Sequence, residues 1–418
     1  MLRALDLAEA LDAGDLAVSG VVELIAEAIA AREADIGAFA HLDLDALRAA
    51  ALRPQSGPLH GMPVAFKDII DTAGLPTEYG SPVWRGWQPK ADATIVSMTQ
   101  AAGGLVLGKA VTTELAFLHP SPTRNPHDPA RTPGGSSSGS AAGVAAGMMP
   151  LAFGTQTGGS VIRPASYCGV AAIKPSFRLL PMVGIKAGSW TMDTLGLFGA
   201  RVRDVAFGLG AVSGRDLRVD GRDFGTPTFG VLDMTFAGEP EPESQAALRF
   251  AIRAAENAGA NVVSIAAPPT FAAAQDAHAT IYQFEGALAA RWELDHHADA
   301  LSEEFRSFMN PVRPASVAEY DAARGAAKAA RRQSKALFED VDVLLTCAAP
   351  GVAPDRSTTG VATFNKLFTL LGTPALNVPG YETADGLPVG VQVVAGFGED
   401  LMALAAADFL EQALAQAE

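Results

Sequence analysis

At 418 residues, 49% of them hydrophobic, the chain is long enough for one large or two ordinary domains with a substantial core. A net charge of −15 excludes the basic footprint of a direct nucleic-acid binder and gives no attraction to an anionic membrane surface. Two widely separated cysteines, Cys168 and Cys347, exclude a disulfide framework.

The first residues, MLRALDLAE, carry acids where a signal peptide needs a basic end and an apolar core. The most apolar long run, within 139–154, has too many glycines and too few bulky residues for a membrane span. The expectation is a cytoplasmic protein with no membrane association.

Helices are predicted at 3–13 and 19–35, the second with Ser19 as N-cap and Val21, Val22, Ile25 and Ile29 on its apolar face. A short helix at 43–52 is broken by Pro54 and Pro58. The segment 61–68 (GMPVAFKD) begins a buried strand that ends on a charged pair, Lys67 and Asp68. A helix at 92–102 closes at Gly103-Gly104, and 105–111 is a strand. Residues 119–135 hold prolines at 120, 122, 126, 129 and 133, so they form a loop.

Two Gly-Gly-Ser turns follow, with Ser136 and Ser160 24 residues apart. The small-residue run at 141–149 and the segment 150–154 between them predict turn, helix, strand, turn. Residues 169–175 are a strand, and 180–200 read as irregular. The second half alternates strand 227–233, helix 243–258, strand 261–265, helices 271–298 and 316–338, strand 341–346 and helix 400–416. That alternation predicts an α/β fold with a parallel or mixed sheet. No repeat of 20–50 residues is present.

The returned serine hydroxyls mark the chemistry. Glycines let the backbone approach a ligand and turn its N–H groups inward, which offers a nucleophile beside an oxyanion site. The stretch 131–142 (RTPGGSSSGSAA) resembles the signature of the amidase signature family, and 154–165 (GTQTGGSVIRPA) resembles its malonamidase-type branch. The segments 61–68, 125–129 (NPHDP), 371–380 (LGTPALNVPG) and 386–392 (GLPVGVQ) extend the likeness over nearly the whole chain.

The resemblance implies one domain, 1–418, built on a single large mixed, mainly parallel sheet with helices on both faces. Its N-terminal helices would cover about 1–55, its catalytic core about 56–210, and a C-terminal half of about 225–418 would complete the sheet. It also implies a Ser-cisSer-Lys triad: Ser160 as nucleophile, Ser136 following a cis peptide bond, and Lys67 as a base kept neutral by burial. Thr157, Gly158, Gly159 and Ser160 would offer N–H groups to the oxyanion, and Thr155 would orient the lysine. Many family members have Asp at Gln156 and Arg at Ile162; the malonamidase-type branch shares both departures.

Arg163 has two readings, a grip on a substrate carboxylate or a brace for a structural carbonyl. Gln283 matches a branch substrate-binding feature, with its register uncertain by one residue. The C-terminal motifs read as scaffold.

Competing patterns carry less. Residues 135–139 fit Gly-x-Ser-x-Gly, but no strand precedes them. Residues 103–109 begin like a phosphate loop, but Ala110 replaces the hydroxyl that would meet magnesium. The seven histidines show no metal-ligand spacing. The expected activity is amide C–N hydrolysis through a serine acyl-enzyme, releasing ammonia from a small, carboxylate-bearing, malonamate-like amide. No cofactor and no metal are expected. The alternatives are hydrolysis of another small amide or urea derivative, the glutaminase subunit of a tRNA-dependent amidotransferase, and a non-catalytic scaffold. Oligomeric state is open, with a homodimer one option.

Overall fold

A computed structural model describes residues 1–417. Eleven strands form one sheet: β1 Phe39–Leu42, β2 Pro63–Lys67, β3 Leu105–Ala110, β4 Leu151–Gln156, β5 Ala171–Lys174, β6 Thr194–Gly199, β7 Thr228–Leu232, β8 Asn261–Ile265, β9 Val343–Cys347, β10 Ala375–Val378 and β11 Val391–Val394. Their order across the sheet is β1-β3-β2-β4-β6-β5-β10-β11-β9-β7-β8.

The sheet is mixed, with fewer parallel contacts than expected. Four pairings are parallel, β2 with β3 and β4, and β7 with β8 and β9; the other six are antiparallel. Around the predicted β5, the antiparallel middle is made of three strands that the sequence hid, β6, β10 and β11. β10 and β11 lie inside the proline- and glycine-rich C-terminal motifs. β6 lies inside the stretch read as irregular, and its glycines have a packing cause: a Cβ at Gly196 would run into the Val161 side chain and the Ile173 carbonyl.

Alternating strand residues feed two cores. Val64, Phe66 and Phe153 pack on one face with the helices Thr94–Ala101, Val202–Ser213, Pro242–Asn257 and Asp400–Ala417. Ala65, Ala152 and Ala172 face the other core, against Val18–Ile36, Ser138–Ala145, Ile162–Cys168 and Thr270–Ala289. The period-2 pattern of the strands thus separates two helical layers.

The N-terminal helices match their prediction, Ala4–Ala13, Val18–Ile36 and Leu44–Ala51, although Ala17 rather than Ser19 precedes the second. The helix expected at 271–298 breaks at Ala290 into Thr270–Ala289 and Arg291–His296. Turn, helix, strand and turn between the two serines are as expected, with Ser138–Ala145 followed by β4. That helix lies close to its neighbours: a Cβ at Gly139 would meet the Ala38 carbonyl and the Val111 amide, and one at Gly143 the Met149 thioether. Among the described residues no helix is long and apolar enough to cross a membrane.

Candidate active site

β2 and β4 run parallel, with Phe66 opposite Phe153 and their rings stacked at 5.6 Å. The next residues therefore leave neighbouring strand ends together. Lys67 is fully buried, and its Nζ lies 2.7 Å from Ser136 Oγ and 2.9 Å from Thr155 Oγ1. Burial holds the ammonium pKa well below the usual lysine range; nearby Asp193 opposes that shift and the Arg163 charge adds to it. A neutral amine beside two hydroxyls can accept a proton.

The Gly135–Ser136 peptide bond is cis. Arg163 Nη2 donates to the Gly135 carbonyl at 2.6 Å, and Thr113 N donates to the Ser136 carbonyl at 3.2 Å, so both sides of that bond are anchored. The neighbouring hydroxyls face the scaffold. Ser137 Oγ donates to the Thr155 carbonyl and accepts from the Thr155 amide, both at 3.3 Å, and Ser140 Oγ donates to the Phe153 carbonyl at 3.0 Å.

The second turn links β4 to the helix Ile162–Cys168 and carries Ser160, half-buried. Three successive carbonyls of this turn are tied down. Thr157 O accepts from His278 Nε2 at 2.8 Å, Gly158 O from Thr369 Oγ1 at 2.9 Å, and Gly159 O from Arg163 N at 2.9 Å. Among the described residues no acceptor meets the N–H groups of Gly158, Gly159 or Ser160. A turn with its carbonyls fixed and its N–H groups free is a preorganised anion site. Gly159 has no room for a side chain, because a Cβ would meet Ala362 and the Asn365 Oδ1 atom.

Gln156 has a structural use here. Its Oε1 accepts from Val161 N at 2.9 Å and Ile162 N at 3.1 Å, while its Nε2 donates to Thr369 Oγ1 at 2.9 Å. A carboxylate could make the first two bonds and not the third. Thr369 then passes the constraint to Gly158 O, so the amide braces the turn at both ends.

Arg163 does not stand in open solvent. It is 1% exposed, burial lowers its pKa to about 10, and its second contact is Thr359 Oγ1 at 3.4 Å. The following proline and the helix it enters direct the guanidinium at Gly135. Gln283 points elsewhere: its Nε2 donates to the Phe308 carbonyl at 3.0 Å. Two residues of that helix reach the serine turn: His278, whose burial lowers its pKa to about 4 and keeps it a neutral donor, and Tyr282, whose hydroxyl lies beside Thr157. The register assumed for Gln283 was therefore not the one that faces the site.

Sequence reasoning also passed over Asp193. Buried at the end of the stretch read as irregular, it accepts from Thr157 Oγ1 at 2.5 Å, Gly188 N at 2.7 Å and Ser189 N at 2.9 Å. Burial raises its pKa against those bonds. No local pattern announces it; only the pairing of β6 with β4 brings it to Thr157.

A deeply buried lysine against a serine, close to a turn of free N–H groups, is an arrangement suited to acyl transfer on an α/β fold. The chain belongs to the amidase family, whose model, described as Amidase, matches residues 20–404. It is 32% identical to a glutamyl-tRNA(Gln) amidotransferase subunit of Rhodopirellula baltica, over 98% of this chain and 95% of that protein. A solved amidase superposes with a TM-score of 0.90 at 28% identity, covering 98% of this chain and 99% of the other. The corresponding glutamyl-tRNA(Gln) amidotransferase subunit of Thermotoga maritima superposes with a TM-score of 0.77 at 27% identity, covering 93% and 90%. The chain is an amide-cleaving hydrolase. The expected closeness to malonamidases rests on the 154–165 stretch, with Gln156, Ile162 and Arg163, and on Gln283, whereas the relative from Rhodopirellula bears the amidotransferase name.

Proposed function

We propose that Ser160 is the nucleophile, that Ser136 relays its proton, and that neutral Lys67 is the base. The Ser160 proton passes to Ser136 Oγ as the Ser136 proton passes to Lys67 Nζ, leaving an ammonium. Ser160 Oγ bonds to the amide carbon, and the carbonyl oxygen, now an anion, rests on the N–H groups of residues 157–160. The lysine proton returns through Ser136 to the amide nitrogen, the C–N bond breaks, and ammonia leaves. Water repeats the sequence on the acyl-enzyme and releases the acid. Thr155 holds Nζ in line. The observation that carries this reading is the buried Nζ at 2.7 Å from Ser136 Oγ.

Arg163 is assigned to the scaffold, supported by its bond to Gly135 O and its burial. Residues 1–418 are treated as one domain, supported by the continuous sheet.

The substrate is a small carboxylate-bearing primary amide. The amidotransferase relatives favour glutamine as that amide, with ammonia handed to a partner; a malonamate-like monoamide hydrolysed by the chain alone is the second reading. Ammonia release is measured from glutamine, malonamate and propionamide with wild type and Ser160→Ala. Release from one of the two acids, lost in Ser160→Ala, supports the reading. Turnover that survives Ser160→Ala overturns it.

A further inference from the structure

A cavity of about 1090 Å³ lies on the far side of the serine turn, and its lining is out of character with the rest of the chain. The protein carries a net charge of −15, yet Arg178, Arg324, Lys328, Arg331 and Lys335 all border this one cleft, against the carboxylates of Asp321 and Glu399.

Four of the cations form a single stripe. Arg324, Lys328 and Arg331 lie on the helix Val317–Ser334 and Lys335 just beyond it, at steps of four, three and four residues, so they share one face over about 16 Å. Their pairing is weak. Arg324 reaches Asp321 only at 3.8 Å with both groups more than half exposed. Arg331 donates from Nε to the Leu370 carbonyl at 2.8 Å, and among the described residues it meets no carboxylate and Lys328 and Lys335 have no ion pair. Like charges at these spacings repel, so the stripe lowers helix stability unless an anion joins it.

Arg178 borders the same cleft from a different segment of the chain and is held in place. Its Nη2 donates to the Trp190 carbonyl at 2.7 Å, its guanidinium lies 4.6 Å from the Phe177 ring centre, and its backbone sits at φ 67°, in the left-handed region. Residues fixed in that region cluster at functional sites.

Much of the remaining lining is aromatic or aliphatic, with Thr191, Ser334 and Thr369 among it. Phe177, Trp190, Phe338 and Phe397 border the cleft, with Trp190 42% and Phe397 64% exposed. Large aromatic surface left open beside cations short of counter-charge, in a concavity of small-molecule size, suits a ligand with an apolar body and an anionic head. At the inner end lies Thr369, the residue that ties Gly158 O and Gln156.

We propose that this cleft binds an organic carboxylate carried on an aryl or alkyl body, with the head on the Arg324–Lys328–Arg331 stripe and the body against Trp190 and Phe397. The ligand is coupled to the serine turn through Thr369. The proposal goes beyond the amidase reading and stands independently of it.

The test is equilibrium binding to Ser160→Ala protein, so that turnover plays no part. Tryptophan fluorescence, with Trp190→Phe to assign the signal, and calorimetry follow three probes: 4-phenylbutyrate, the neutral 4-phenylbutan-1-ol, and inorganic phosphate. Saturable binding of phenylbutyrate in the millimolar range or tighter, at least about tenfold tighter than either other probe, is expected from joint use of charge and body. The double variant Arg324→Gln/Lys328→Gln, at exposed helix positions, loses at least about tenfold in affinity, while Arg324→Lys/Lys328→Arg retains it. Binding weakens as salt rises from about 0.01 M to about 1 M, where the screening length falls from ~30 Å to ~3 Å. No saturable binding of phenylbutyrate, equal affinity for acid and alcohol, equal affinity for acid and phosphate, or unchanged affinity in the double glutamine variant each overturns the proposal.

Discussion

Lys67 shows how a side chain's chemistry is set by its position in the fold. The same ammonium at a solvated strand end would remain charged; surrounded by β2, β4 and the Ser136 turn it is fully buried, and desolvation moves its pKa well down. The sign of the pH effect follows. On the proposed mechanism the base works in its neutral form, so turnover rises with pH through the lowered lysine pKa, and a kcat–pH profile checks this. Arg163 adds to the lowering. Arg163→Ala therefore moves the rising limb to higher pH. Because the side chain braces Gly135 O instead of facing solvent, the variant also loses kcat/KM by similar factors on malonamate and on propionamide. Selective loss on the acid would return Arg163 to substrate recognition. Thermal unfolding of the same variant shows a cost of about 1–3 kcal/mol, that of leaving a buried carbonyl unsatisfied.

At the scale of the element, the serine turn is held by side chains from outside it. Gln156 caps the amides of Val161 and Ile162 and reaches Thr369. Gln156→Ala removes all three bonds, and a stability loss of about 1–3 kcal/mol is expected for the orphaned donors, with kcat falling more than KM rises because the oxyanion donors lose their alignment. Gln156→Glu keeps the two accepted bonds and recovers part of both; kinetics and melting of the pair check this. The packing of the helix Ser138–Ala145 gives a second test. Gly139→Ala places a methyl against the Ala38 carbonyl and the Val111 amide, and overpacking of this kind costs about 1–3 kcal/mol or more. A Gly139→Ala protein with wild-type melting would refute the close approach.

These elements also show what was legible beforehand. The serine turns, the helix and strand between them, and the buried strand ending at Lys67 were legible locally, from glycines at a turn, small residues in a packed helix and an apolar strand before a charge; the roles of Lys67, Ser136 and Ser160 came from the family resemblance. Asp193 and His278 could not. They come to the site through the β4–β6 pairing and the crossing of a distant helix, and nothing in their own neighbourhood marks them. Gln283 shows a related effect: its side chain bonds to the Phe308 carbonyl while Tyr282, one residue earlier, lies beside Thr157, a one-residue step on a helix turning a side chain by about 100°.

For the whole molecule, the alternation of strands and helices correctly indicated an α/β sheet between helical layers. It did not disclose the antiparallel centre, because β10 and β11 are four-residue strands flanked by glycines and prolines and β6 carries glycines within it, residues that normally argue against a strand. Their cause is tertiary: Gly196 makes room for Val161, behind the serine turn itself. The centre of the sheet thus joins the two halves of the chain at the site, with β5 paired to β10.

The central claim, that Ser160 is an activated nucleophile served by Lys67 and Ser136, is tested most directly by covalent labelling with a fluorophosphonate, followed by mass spectrometry of the intact protein and of its peptides. The account predicts a single adduct on Ser160 in the wild type, none in Ser160→Ala, and labelling slowed by orders of magnitude in Lys67→Met. An adduct on Ser137, or amide hydrolysis in an enzyme whose Ser160 is never labelled, would contradict it.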